Sequence, residues 1–135
     1  MPPCAFCDIV QGKAPAHRVY ADEQTLAFLD TAPANPGHVL VIPTTHHETL
    51  TDMNEERVGA VFQTARRIAS AIESAYAPDG LNIVQSNGAA AGQEVYHAHV
   101  HVIPRYSGDD VLLQWASGDA ADGAQRTAST LQDEL

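Results

Sequence analysis

HAHVHVIPRY, residues 97–106, decides the reading of this chain. His97, His99 and His101 recur at strict two-residue spacing inside an apolar run. Side chains alternate across a β-strand, so the three imidazoles share one face, about 6.6 Å apart per step. Ala98, Val100 and Val102 form an apolar row on the other face, and their β-branched content supports a strand whose back packs on a core. Imidazole titrates near neutral pH and serves as nucleophile, acid, base or metal ligand. A row of three points to chemistry ahead of a merely histidine-rich surface strand.

Working outward, residues 81–85 read as another strand, joined to the histidine strand by the loop SNGAAAGQ, residues 86–93. Before it, Val58, Val61, Phe62, Ala65, Ile68, Ala69 and Ile72 fall at spacings of three and four, which predicts one long amphipathic helix from about Glu55 to Tyr76. Asn54 or Asp52 is placed to cap it, and Pro78, Asp79 and Gly80 end it. Residues 38–42, HVLVI, read as a buried strand stopped by Pro43. Arg18–Ala21 and Thr25–Leu29 form a hairpin across a polar turn, and residues 6–11 make a short helical turn. The order predicts an α+β fold: a mainly antiparallel sheet, one long helix and a short N-terminal helix.

A chain of 135 residues suits one domain with a sizeable core. A formal charge of −10 disfavours nucleic acid and anionic membrane as partners, since both are bound through clustered Lys and Arg. The apolar runs fall far short of the roughly 20 residues that span a bilayer, and MPPCAFC lacks the pattern of a secretory leader. A cytoplasmic protein is expected. From residue 117 onward the chain has almost no core formers, so residues 1–116 are expected to form the domain and residues 117–135 a mobile tail. Val111, Leu112, Leu113 and Trp115 interrupt the polarity before it and are expected to dock on the domain's own surface.

Both cysteines sit together in CAFC, residues 4–7. A reducing compartment disfavours a structural disulfide. Half of a tetrahedral zinc site is one reading and needs two further ligands, for which histidines are plentiful; inert thiols and a redox pair are the others.

These segments together resemble the histidine triad family. HAHVHVI is similar to its His-φ-His-φ-His-φ-φ signature, and CAFCDIVQGKAP, LAFLD, PGHVLVIPTTH, NIVQSNGAAAGQ and HVIPR follow in the family's order across roughly residues 4–106. The resemblance implies a nucleotide-binding hydrolase acting at an α-phosphate and releasing a nucleoside monophosphate. It implies His99 as nucleophile through a nucleotidyl-imidazole intermediate, His101 at the phosphoryl oxygens and leaving group, and His97 and His38 holding the neighbouring rings. Asp30 would accept from ribose hydroxyls, Phe6, Ile9, Phe28 and Leu29 would wall a purine base, and Asn87 and Gln93 would donate to phosphate. Glu94 stands where relatives commonly carry Ser or Thr, replacing a donor beside the phosphate with an acceptor.

The resemblance also implies a structural zinc held by Cys4, Cys7, His46 and His97, with His47 as a competing neighbour, no catalytic metal, and a homodimer. A third histidine at 101 favours hydrolase branches over transferases. HVIPR leans toward dinucleoside polyphosphates as substrate and GQEVYH toward phosphoramidates. Two rivals stand beside this reading: a nucleotide sensor with little turnover, and a module whose histidine strand chelates a metal.

Overall fold

A computed structural model of the protein describes residues 3–118 and 123–135. Cys4 caps helix α1 (Ala5–Val10), its Sγ accepting from the Cys7 N–H. Strands β1 (Arg18–Ala21), β2 (Thr25–Leu29) and β3 (Val39–Pro43) precede the long helix α2 (Glu55–Tyr76). Strands β4 (Gly80–Gln85) and β5 (Val100–Arg105) follow, and helix α3 (Ala124–Glu134) closes the chain. The five strands form one antiparallel sheet in the order β1-β2-β3-β5-β4, so the histidine strand lies inside the sheet and β4 at its edge.

Alternation sorts two cores onto the two faces. Ala27, Val39, Val41, Val100 and Val102 pack on one side against Val61, Ala65, Ile68 and Ile72 of α2. Leu26, Phe28, Leu40 and Ile42 pack on the other side against Phe6 of α1. Each fully buried aliphatic side chain of this kind contributes roughly 1.5–3 kcal/mol. Val39 opposes Val102 and Leu40 opposes His101, which turns the histidine row to the α1 face. Asn54 is the cap of α2, accepting from the Arg57 N–H at 2.9 Å, and Ala77 ends it in a left-handed conformation at φ 45°.

Two expectations need correction, on the start of the histidine strand and on the Leu112–Trp115 cluster, and one helix is added. The ladder begins only at Val100, so His97 and His99 lie just before it, although their rings keep the alternation. Residues 124–134 form a helix that buries nothing: Ala, Gln, Arg and Leu favour helix, and the lack of core formers shows as complete exposure. Leu112 and Trp115 do not dock on their own domain and are 75% and 85% exposed.

Candidate functional site

Three carbonyl or amide groups settle where the protons of the histidines sit. A carbonyl oxygen only accepts, so Nδ1 of His99 donates to the His97 carbonyl at 2.8 Å and Nε2 is left with its lone pair. By the same argument Nε2 of His97 donates to the Pro43 carbonyl at 2.8 Å, leaving Nδ1 bare. A backbone N–H only donates, and that of Ala34 reaches Nδ1 of His38 at 3.0 Å. Neutral His38 therefore carries its proton on Nε2, which lies 2.9 Å from Nδ1 of His101. The proton of His101 is consequently on Nε2.

Burial favours the neutral form of His38, His97 and His101. His101 is pushed down to about 4, first by burial and then by the facing rings of His99 and His38, with Asp30 opposing. His97, fully buried, is also pushed down to about 4 by burial, and His38 is lowered for the same reason.

His99 and His101, with ring centroids 5.0 Å apart, line a cavity of 540 Å³. Phe6, Ile9, Phe28, Leu29, Asp30 and Glu94 line it too, so every residue expected to wall a base or contact a sugar is in one place. Phe6 sets its edge against His99 at 5.3 Å, which fixes the ring between α1 and the sheet. Exposed Glu94 also borders a neighbouring cavity of 390 Å³ beside Cys4, His46 and Glu48.

Asn87 and Gln93 make their hydrogen bonds within the protein. Gln93 is 3% exposed; its Nε2 donates to the carbonyls of Glu48 and Val95 at 2.6 and 3.1 Å, and its Oε1 accepts from the Gly88 N–H at 2.7 Å. Asn87 forms a reciprocal amide pair with Gln85 and accepts from the Leu50 N–H. Both side chains brace the loop: both amide hydrogens of Gln93 are taken up within the protein, and one of the two on Asn87. Neither lines the larger cavity.

Cys4 Sγ, Cys7 Sγ, His46 Nδ1 and His97 Nδ1 all lie within 4.8 Å of one another. The sulfur–nitrogen separations of 3.4, 3.4 and 3.6 Å approach the roughly 3.6 Å edge of a tetrahedron with zinc–sulfur bonds of about 2.3 Å and zinc–nitrogen bonds of about 2.05 Å. The Pro43 carbonyl leaves His97 with its lone pair toward this cluster, the second partner a metal-bound histidine needs. His46, not His47, provides the fourth donor. The residues fit the metal. Cys7 is pushed up to about 11, first by burial and then by Cys4, so a metal ion must displace its proton.

Asp30, His38 and His101 are equally close together. A metal there would need the Nε2 lone pair of His38, which the Ala34 amide denies it. The Ala34 amide, His38 and His101 form a hydrogen-bonded chain, with the Asp30 carboxylate 3.5 Å from Nε2 of His38. The Ala34 amide and the Pro43 and His97 carbonyls carry no signal in side-chain sequence, and only the fold reveals them.

The HIT domain profile matches residues 11–108. A crystal structure of a HIT family protein from Bacillus anthracis superposes with a TM-score of 0.94 at 36% identity, covering 99% of this chain and 98% of that one. A Zn-bound histidine triad family protein from Mycobacterium smegmatis is 41% identical, with a TM-score of 0.77 over 97% of this chain and 96% of that one. The Arabidopsis thaliana protein named adenylylsulfatase HINT3 is 40% identical over 114 residues, 84% of this chain and 56% of that protein. With its triad, its sheet and most of its length matched, the chain belongs to the HIT domain family.

Proposed function

We propose that the protein hydrolyses purine nucleotide conjugates at the α-phosphate, phosphoramidates or dinucleoside polyphosphates, and releases a nucleoside monophosphate. The observation that carries this reading is the bare Nε2 of His99 on the wall of a 540 Å³ cavity, its Nδ1 tied to the His97 carbonyl. The name of the Arabidopsis relative supports hydrolysis at a nucleotide phosphate.

The chemistry runs in two steps. The lone pair of His99 Nε2 bonds to phosphorus, and the bond to the leaving group breaks with its electron pair. His101 Nε2 provides a hydrogen bond or proton to that group. Water then attacks phosphorus, its proton passes to a ring nitrogen, and the phosphorus–His99 pair returns to Nε2. Phe6, Ile9, Phe28 and Leu29 wall the base, and Asp30 accepts from the sugar hydroxyls.

Zinc at Cys4, Cys7, His46 and His97 supplies structural stability, because four protein ligands leave no open position for substrate. A cytoplasmic homodimer completes the reading: β4 is a sheet edge, and Ile83 on it and Phe62 on α2 are 45% and 37% exposed. Light scattering near twice the mass of one chain is the test of the dimer.

The test of the activity is turnover of adenosine phosphoramidate and diadenosine polyphosphate, with intact-mass measurement after brief mixing. A nucleotidyl adduct on the protein and none on His99→Ala is expected, with turnover lost and AMP affinity within roughly tenfold of the parent. Substantial turnover by His99→Ala would overturn the mechanism.

A further inference from the structure

Residues 30–36, DTAPANP, reach the histidines from outside the sheet and place two groups on one ring. The Ala34 N–H donates to Nδ1 of His38 at 3.0 Å, and Oδ2 of Asp30 lies 3.5 Å from Nε2 of the same ring and 4.0 Å from Nδ1 of His101. The loop is pinned. Its ends meet where the Asp30 N–H donates to the His38 carbonyl and the His38 N–H to the Asn35 carbonyl. Asn35 Nδ2 donates to the Pro104 carbonyl and to Asp109, both at 2.9 Å, and Asp109 is gripped by Arg105 at 2.9 and 2.8 Å.

This arrangement has a consequence for His101 when it carries a second proton. Its Nδ1–H would then face the Nε2–H of His38, two donors 2.9 Å apart. His38 cannot withdraw by moving its proton to Nδ1, because the Ala34 amide occupies that side. Asp30 is the acceptor within reach of both, and its Oδ1 is held in place by the Ala32 N–H at 2.8 Å.

We propose that Asp30 is a positioning residue for the acid of the reaction as well as a sugar contact: its carboxylate, with the Ala34 amide, allows His101 to hold the proton that an amine leaving group requires. The proposal rests on the hydrolase reading and deepens it. His101 first takes a second proton from solvent on Nδ1. In the first step His99 Nε2 then bonds to phosphorus, the phosphorus–nitrogen bond breaks onto the amine, and that amine takes the Nε2 proton of His101, which keeps its Nδ1–H on the side of Asp30. In the second step water attacks phosphorus and its proton returns to His101 Nε2. While His101 carries its Nδ1 proton, Asp30 is the carboxylate facing that N–H and the Nε2–H of His38, and it is not itself protonated. Of the groups facing His101, the rings of His99 and His38 oppose its protonation and Asp30 favours it; the carboxylate of Glu94 lines the same cavity.

The experiment compares Asp30→Asn with the unaltered protein on two adenylates, one with an alkylamine leaving group and one with p-nitrophenolate, which leaves without a proton. The expected result is a kcat loss at least tenfold larger on the amine than on the nitrophenolate. Equal losses in kcat, or a change confined to KM, would reduce Asp30 to a sugar contact and overturn the proposal. Nitrogen NMR of the unaltered protein reads the second element: a bare Nδ1 and protonated Nε2 on His38 are expected, and the opposite tautomer would overturn it. If the unaltered protein turns over neither adenylate, the hydrolase reading fails, and the His38 tautomer decides the hydrogen-bonded chain by itself.

Discussion

The carbonyl oxygen of His97 accepts from Nδ1 of His99 at 2.8 Å, while the ring of His97 joins Cys4, Cys7 and His46. One residue thus belongs to the donor cluster through its side chain and orients the ring of His99, which we propose as nucleophile, through its backbone. Disturbing the cluster should therefore be felt at the reacting ring.

Replacing both thiols tests this link. Cys4→Ser/Cys7→Ser should lose a single equivalent of zinc found by elemental analysis of the unaltered protein, and should melt at lower temperature. The kcat should fall several-fold without vanishing, because His99 keeps its lone pair and its cavity. Unchanged zinc content in the double variant would refute the ligand set.

Acid should weaken the fold through His101 and His38. Both have folded-state values below that of free histidine, His101 about 4 against the usual 6.5 or so. Between those values the unfolded chain binds more protons than the folded one, so stability falls as pH drops from about 6.5 toward 4. Urea midpoints across that window should show a decline of order 2 kcal/mol, after allowance for the 24% exposure of the His101 side chain. A His101→Gln variant should show a shallower decline, and identical slopes would contradict the assignment.

Gln93 separates a brace from a phosphate ligand. Its three hydrogen bonds are all internal, so Gln93→Ala strands the Gly88 N–H and the Glu48 carbonyl and should cost about 2 kcal/mol of stability. Denaturant titration measures it. Unchanged stability with weakened nucleotide binding would return Gln93 to the role its sequence position suggests.

Glu94 borders both cavities, beside the place proposed for the phosphate. Glu94→Ser should raise kcat/KM for diadenosine polyphosphate more than for adenosine phosphoramidate, several-fold, as expected for one unit charge at partly solvated range. Equal effects on the two substrates would mean that the carboxylate faces solvent during turnover.

The elements that alternate or repeat were legible in the sequence. The stripe from Val58 to Ile72 marked α2, and the apolar row of Ala98, Val100 and Val102 marked the buried face of β5. Phe6, Phe28 and Asp30 could be gathered into one cavity only through the family resemblance, since contacts between α1, β2 and β5 leave no periodic trace. The internal bonds of Asn87 and Gln93 are not legible in the sequence, because an amide's residue type says that it can donate and only coordinates say to whom. Helix α3 was missed because composition reports burial more directly than helicity, and this helix buries nothing.

The Ala34 amide exerts its effect without a side chain, and that shapes how the position can drift over generations. Almost any residue at 34 would supply the same N–H, so the site can vary freely in a lineage while the protons of His38 and His101 stay where they are. Proline alone lacks that hydrogen. In a segment that already holds Pro33 and Pro36, proline at 34 is the one change that would silently remove a working part, a constraint visible only as an absence among descendants.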